Sequence, residues 1–494
     1  MAFLTRSLLL ALVALLVAAC ATTQSDGTND STATVEPGRS VTQRHLARKV
    51  TGVSHATLHY ARSVYENPVN RPVSHITSLA SLAVQSTRGF VKRAAIGTLG
   101  MPALSEDIPA LSQSEPMDLN EFERILDRET GTRSELGRIR FLVDGDEYFC
   151  RLMSAIAAAE QSIDIRTYIF DNDDFAVAMA DQLREKSADV RVRILLDGIG
   201  TMLAMQTDAE SMPEEFEVPL SMRSYLERDS EIRVRNLTNP WFTGDHTKTT
   251  IIDERIAFVG GMNIGREYRY DWHDLMMEVT GPVVDQLQFE SDKAWARGGV
   301  FGDVANFLRF TRGKQQNADR DGYPVRILQT RSFDAQIKRA QIAAIRNSNS
   351  YILIENAYFS DDETLYELAK ARRRGVDVRI IIPSKGNHGP LNASNLVTIN
   401  KLLANGIRVY EYPGMSHVKA AIFDGWASVG SANFDKLSLE VNKELNLATS
   451  DPGTVEALLE QVFIPDLMVS REIDAPVDLT LTAHLAEFMV DELL

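Results

Sequence analysis

The sequence predicts an α/β fold made of two pseudo-symmetric α/β/α halves packed around one shared site. Three observations carry that prediction. His246-Thr-Lys248-Thr-Thr-Ile-Ile-Asp253 has a counterpart in His417-Val-Lys419-Ala-Ala-Ile-Phe-Asp424, with the same three polar residues at the same spacing. Each stretch runs into a glycine turn with an asparagine, Gly260-Gly-Met-Asn263 and Gly430-Ser-Ala-Asn433, and a carboxylate, Asp274 or Glu444, stands eleven positions past each asparagine. Ahead of each copy, strand and helix patterns alternate in the same order, which argues for a sheet covered by helices in each half.

A chain of 494 residues allows two to four units at ~100–200 residues each and a large core. Hydrophobic residues make up 44% and charged residues 24%, the balance of an ordinary globular protein rather than a disordered or membrane-embedded one. The formal charge of −16 argues against a general nucleic-acid binder, so no nucleic-acid partner is expected.

Residues 1–20 have the pattern of a targeting segment. Arg6 precedes an apolar run from Leu8 to Val17, too short for a span of ~20 residues and suited to a secretory signal. Val17-Ala-Ala-Cys20 resembles the lipobox of bacterial lipoproteins, which implies lipidation of Cys20 and a folded body held at a membrane outside the cytoplasm, in the bacterial cell envelope. Ala21 in place of Asp points, by analogy with enterobacterial sorting, to the outer membrane. With Cys20 lipidated, Cys150 has no intrachain partner, so an exported body would rest on its core alone.

Residues 21–40 are rich in Thr, Ser, Asp and Gly, as in a flexible tether. Residues 37–100 then carry nine Lys or Arg against the single acid Glu66, so the rest of the chain is more acidic than the total suggests. Such a segment beside an anchor suits contact with anionic lipid, and it equally suits packing on an acidic body. Two helical patterns, Leu46 to Val64 and Ile76 to Leu99, are separated by Pro68 and Pro72. Residues 41–135 are thus a basic helical extension and connector that ends in a short helix near Leu119 to Arg128.

The first half, 136–312, opens on a strand over Arg138 to Val143 and a turn at Asp144-Gly145. A helix over Glu147 to Glu160 follows, then a strand over Ser162 to Phe170, a helix over Phe175 to Lys186 and a strand over Val190 to Leu196. Asp171, Asp173 and Asp174 lack the spacing of a calcium loop and read as a turn and helix N-cap. Phe310 to Asp321 is a polar linker. The second half, 321–470, repeats the order with a helix over Ile337 to Ile345, a strand over Tyr351 to Phe359, a helix over Glu363 to Arg374 and a strand over Val376 to Ile382. Residues 471–494 carry the pattern of a C-terminal helix at Leu481, Leu485, Phe488 and Met489.

If Asp245 to Asp253 is a strand, His246 and Lys248 share a face. An imidazole beside a fixed ammonium repels a metal cation and suits an oxyanion, so no metal and no cofactor are expected. The glycine-bounded Asn adds a neutral donor. Two such half-sites would place two His, two Lys and two Asn around one phosphoryl group. One imidazole would attack phosphorus and the other would serve as acid and then base, while Asp274 and Glu444 suit the role of fixing the ring tautomers. Duplicated halves complete the site within one chain, so a monomer is expected. Of the other histidines, His45, His55, His59 and His75 fall on the basic extension, and His273 and His388 are candidates to line the cleft. Trp241-Phe242 would either grip an acyl chain or belong to local core.

Both motifs resemble the His-x-Lys-x4-Asp signature of the phospholipase D superfamily, followed by Gly-Gly/Ser-x-Asn, and the duplicated order extends the match from about Ile139 to about Asp466. The resemblance implies a phospholipase D-like fold. It makes His246 the nucleophile and His417 the general acid and base, although the residues themselves leave the two copies interchangeable. It implies that Lys248, Lys419, Asn263 and Asn433 bind phosphate, that Asp274 and Glu444 orient the histidines, and that Asp253 and Asp424, counted with the catalytic set, mainly support the site's fold. Gly260-Gly-Met-Asn-Ile-Gly-Arg-Glu-Tyr268, Trp272-His-Asp274, Tyr358-Phe359 and Gly430-Ser-Ala-Asn-Phe-Asp435 are similar to bacterial cardiolipin synthases. Those enzymes commonly begin with transmembrane helices, where this chain has a lipobox and a basic extension. The expected activity is transfer of a phosphatidyl group to a lipid hydroxyl, with phospholipid and a membrane surface as partners. Hydrolysis to phosphatidic acid, an exported nuclease and a non-catalytic lipid-binding envelope protein are the competing readings.

Overall fold

The computed structural model describes residues 66 and 68–96, 104–112, 114–237 apart from 199, 202–208, 210 and 214, then 243–311, 321–386 and 389–479. Cys20, the tether, His45, the pattern over Leu46 to Val64 with its two histidines, Trp241, Phe242, His388 and the terminal helix pattern lie outside the described residues.

Among the described residues, two helices precede the sheet, α1 (Pro72–Ile96) and α2 (Leu119–Thr130). The first half then runs β1 (Glu135–Val143), α3 (Asp144–Ala158), β2 (Ser162–Thr167), α4 (Asp174–Lys186), β3 (Arg191–Asp197), α5 (Met222–Glu227) and β4 (Arg233–Leu237). It continues through β5 (Thr249–Ile252), β6 (Ile256–Gly260), β7 (Leu275–Thr280), α6 (Val283–Arg297) and α7 (Gly302–Thr311). The second half repeats this with β8 (Tyr323–Arg331), β9 (Asp334–Ala335), α8 (Gln336–Asn347), β10 (Tyr351–Asn356), α9 (Asp362–Arg373), β11 (Asp377–Pro383), α10 (Gly389–Ala404) and β12 (Arg408–Tyr412). There follow β13 (Lys419–Phe423), β14 (Trp426–Gly430), β15 (Glu444–Thr449), α11 (Pro452–Leu458), α12 (Ile464–Val469) and β16 (Arg471–Ile473).

Local chemistry accounts for these elements. β2 and β10 are almost wholly buried on both faces, and each pairs in parallel with the next strand, β3 or β11. Asp173 caps α4 by accepting from Ala176 N at 2.7 Å, which bears out the N-cap expected there. Asp361 caps α9 in the equivalent way through Thr364 N.

The two halves share a single sheet. Its order is β16-β12-β11-β10-β13-β14-β15-β8-β1-β7-β6-β5-β2-β3-β4, with β9 attached to β8. β8 and β1 meet antiparallel at the centre, and the order outward on each side is the same. One apolar cluster belongs to the first half and one to the second. A third joins them, with Ile251, Val259 and Met277 from one side and Val418, Ile422 and Leu445 from the other. The halves are therefore fused through a core as well as through the sheet.

Three expectations need correction. Residues 471–473 begin as strand β16 on β12, because Val409 and Glu411 offer an open edge. Asp144 starts a helix, not a turn, at φ 62°. The connector helix α2 belongs with the second half: Phe122 meets Trp426 edge-on at 5.4 Å, and Leu126 lies in that half's core.

The aspartates that end the two motifs, Asp253 and Asp424, sit in the tight turns after β5 and β13 at φ 52° and 53°. Their carboxylates face away from the histidine end of the motif and accept main-chain N–H groups. Asp253 accepts from Glu160, Gln161 and Ser162. Asp424 accepts from Met117, Asn349, Ser350 and Tyr351. These residues staple the hairpin to the strand beside it, which is the supporting part expected of them, and they are removed from the catalytic set. Charge-assisted bonds contribute ~1.5–3 kcal/mol each without adding fully, so Asp424→Ala should cost about 3 kcal/mol or more. Asp253→Ala, with fewer and more exposed bonds, should cost roughly half that. Urea unfolding of each variant checks the order.

Candidate active site

The site forms where the chain crosses between halves. His246 and His417 do not lie on β5 and β13, as one continuous strand over Asp245 to Asp253 would require; they precede those strands. Their backbones pair with the opposite half instead. His246 N donates to Lys443 O at 2.9 Å and Lys443 N donates to Gly244 O at 2.9 Å. In the mirrored position His417 N donates to His273 O at 2.7 Å and His273 N donates to Met415 O at 3.0 Å. The residue paired with each histidine's segment is the one just before the other half's carboxylate.

That crossing decides which acid serves which base. Glu444, from the second half, bonds Nδ1 of His246 at 3.1 Å. Asp274, from the first half, bonds Nδ1 of His417 at 2.7 Å. Each carboxylate therefore holds the imidazole of the other motif and leaves the lone pair of the neutral ring on Nε2. Both acids are essentially fully buried. Burial pushes Asp274 up to about 6, against the pull of Lys419.

The two copies solve one spatial problem differently. Gly261 faces Asp274, and a Cβ there would stand 2.2 Å from Asp274 Oδ1. At the matching position Ser431 donates its hydroxyl to Glu444, at 2.5 Å. Serine fits where the orienting acid is the longer Glu; glycine is required where it is Asp.

Lys248 and Lys419 are buried beside the histidines, and each donates to the carbonyl of its own motif's histidine, at 2.7 and 2.6 Å. Burial, opposed by Glu444 and helped by Lys419, lowers Lys248 to about 7, and burial lowers Lys419 to about 8. That Lys248 is repelled by Lys419 shows that the half-sites share one field. Burial also lowers His246, against Glu444, and keeps it a neutral imidazole near pH 7.

The asparagines differ. Asn263 accepts from Ile169 N and donates to the Tyr268 hydroxyl at 2.7 Å, so much of its amide serves the protein. The amide oxygen of Asn433 has no hydrogen-bond partner among the described residues. Aromatic rings wall the histidines. Tyr168 meets His246 edge-on at 4.8 Å and lies 5.3 Å from the Lys248 ammonium, and Trp272 lies 5.3 Å from His417. Tyr168 and Lys443 carried no repeated spacing that would single them out; the fold of the first half brings Tyr168 to His246, and the crossing brings Lys443 from the second.

His273 does not present a free nitrogen to the cleft. Its Nδ1 bonds Asp144 at 2.7 Å and its Nε2 bonds Asp466 at 3.1 Å, and these carboxylates, against burial, raise it to about 11. His273, Glu355 and Asp466 are near enough to offer three metal ligands, but a doubly bonded imidazolium is not a ligand.

Two outcomes follow. Asp274→Asn and His417→Ala should each slow turnover, and the double variant should be no slower than His417→Ala alone, whereas Asp274→Asn with His246→Ala should be slower than either; kcat in a double-mutant cycle checks this. The second concerns pH. Both lysine values are lowered, so their charge is present below about 7 and lost as pH rises past about 8. Binding of dimethyl phosphate should weaken over that range and take up protons at pH 8, as calorimetry in buffers of different ionisation enthalpy would show.

The family model described as cardiolipin synthase, PLD-like domain, matches residues 152–295 and 341–466, one segment in each half. Cardiolipin synthase B of Salmonella typhi is 30% identical over 333 residues, 64% of this chain and 77% of that protein. Cardiolipin synthase A of Pseudomonas aeruginosa is 30% identical over 355 residues, 68% of this chain and 69% of that protein. A crystal structure of phosphatidylserine synthase from Haemophilus influenzae shares the fold, with a TM-score of 0.59 at 14% identity, over 76% of this chain and 100% of that one.

Proposed function

The chain belongs to the phospholipase D superfamily as a cardiolipin synthase-like phosphatidyltransferase, and from that premise we propose that it moves a phosphatidyl group to a lipid hydroxyl through a phospho-histidine. The observation that carries this reading is the pair of crossed His–carboxylate bonds flanked by two buried lysines. In it, Nε2 of His246 attacks phosphorus and the phosphorus–oxygen bond to the donor's headgroup breaks. His417, whose Nδ1–H is held by Asp274, gives the leaving alkoxide a proton from Nε2. His417 then takes the proton of the acceptor hydroxyl, whose oxygen displaces His246. Lys248 and Lys419 neutralise the non-bridging oxygens, a task that a divalent cation performs in many phosphoryl-transfer sites, so activity should persist in EDTA. His246 suits the nucleophile's part because burial keeps it neutral at pH 7. Asn433, with its free amide oxygen, is the asparagine better placed to turn towards a ligand.

The remaining parts of the proposal rest on the sequence. Lipidation at Cys20 would hold the body at an envelope membrane, outside the cytoplasm, where such lipids lie. Among the described residues no helix is long and apolar enough to cross a membrane.

Purified protein incubated in EDTA with phosphatidylglycerol vesicles, alone or mixed with phosphatidylethanolamine as donor, should form cardiolipin, read by mass spectrometry. Phosphatidic acid alone would replace transfer by hydrolysis. His246→Ala and His417→Ala should each reduce the rate by about 10²–10⁴-fold; a lipid profile that neither variant changes would defeat both. Cys20→Ser should move the protein out of the membrane fraction.

A further inference from the structure

Beside the catalytic centre, and lined by its Glu444, lies a cavity of about 280 Å³. That is close to the size of small-ligand sites, ~300 Å³ and upward. Its inner wall includes Glu444, which is 1% exposed, and its rim includes Phe333, which is 53% exposed. The cavity therefore runs from the surface to the acid that holds His246. The walls come from α1, the end of α6, the end of β8 and the crossing at Asp245 and Lys443.

The lining is cationic in a chain that is acidic overall. Six Lys or Arg line it: Arg71, Arg166, Lys293, Arg297, Arg331 and Lys443. Some are neutralised in place. Arg166 forms a bidentate pair with Asp245, and Lys293 and Arg331 both reach Glu290 at 3.2 Å. Lys443 stands 3.9 Å from the Asp245 already held by Arg166. The side chains of Arg71 and Arg297 make no hydrogen bond and no ion pair among the described residues, and the Nε of each is buried without a partner. Burial lowers Arg297, with Arg166 next in effect, and burial lowers Lys443 to about 8. Carboxylates stand near both guanidinium groups, Asp303 near each, Glu66 near Arg71 and Asp245 near Arg297, but none is bonded to them. The unmet donors make a site for an anion, and their fork geometry suits a phosphate.

The surroundings identify the carrier of that phosphate. Asp303 accepts from Val73 N at 2.7 Å and Ser74 N at 3.0 Å, which sets the starts of α1 and α7 side by side. Around them Val73, Ile76, Val300, Phe301, Val304 and Phe307 are each more than half exposed. Val73 neighbours the lining residue Ser74, and Val300 and Phe301 follow Arg297. An apolar surface of this kind around a cationic cavity matches a phospholipid, with a charged head and apolar tails.

We propose that this cavity is a second phosphate site, which seats the phosphodiester of the acceptor phospholipid while its acyl chains lie against the apolar face of α1 and α7. The proposal rests on the transferase reading above. It gives the enzyme a second phosphate site next to Glu444, an arrangement that suits a product with two phosphodiesters. The donor's phosphate occupies the lysine site and the acceptor's occupies the arginine site.

The test uses the full chain, a phosphatidylethanolamine donor and two acceptors, phosphatidylglycerol and glycerol. Arg71→Gln with Arg297→Gln should raise KM for phosphatidylglycerol about tenfold or more. Transfer to glycerol, which has no phosphate, should stay within about twofold, and Arg297→Lys should recover part of the loss. Equal losses with both acceptors, or no loss with either, would overturn the proposal. A wild-type chain inert to every acceptor would defeat the transferase reading instead, and vesicle sedimentation then decides the cavity alone. The chain should bind phosphatidylcholine vesicles better when they contain phosphatidylglycerol, and the double variant should lose that preference. A variant that keeps it, or inorganic phosphate releasing the bound wild-type chain, would show a surface or free-ion site and refute the lipid assignment.

Discussion

The structure depends on a main-chain exchange between its halves. Four backbone bonds, two around His246 and Lys443 and two around His273 and His417, carry each motif's histidine across to the other motif's carboxylate. Everything chemical follows from that. Neither half holds both partners of either catalytic His–carboxylate pair, so neither is a site by itself. The shared apolar cluster and the β8–β1 junction fix the halves firmly enough for 2.7 and 3.1 Å bonds to form across them.

Duplication does not make the two sides equal. The longer Glu444 is steadied by Ser431, and the shorter Asp274 fits against Gly261. Lys443 and His273 occupy matching positions at the crossing and serve different ends. Lys443 opens onto a cationic cavity, whereas His273 is locked between Asp144 and Asp466. Pseudo-symmetry thus builds one centre with two unlike flanks, and a reaction that takes a donor and an acceptor needs such a difference.

Much of this was legible in the sequence. The order of strands and helices followed from period and caps, and the repeated His, Lys, Asn and acid marked the site because chemistry needs those types together. Three things were hidden. Spacing shows that each motif owns a carboxylate but not that the carboxylates are exchanged, since that depends on how distant segments cross. The turn aspartates Asp253 and Asp424 repeat as faithfully as the histidines, yet they repeat because both hairpins need the same staple. The cavity draws Arg71, Arg166, Arg297 and Lys443 from four separate stretches, and no local pattern unites them.

The crossed pairing is the central claim, and ring resonances of the two histidines test it most directly. With histidine labelled in its imidazole nitrogens, Asp274→Asn should shift the His417 ring and leave His246 in place, and Glu444→Gln should do the reverse. A spectrum in which Asp274→Asn moves His246, with His417 unchanged, would contradict the account.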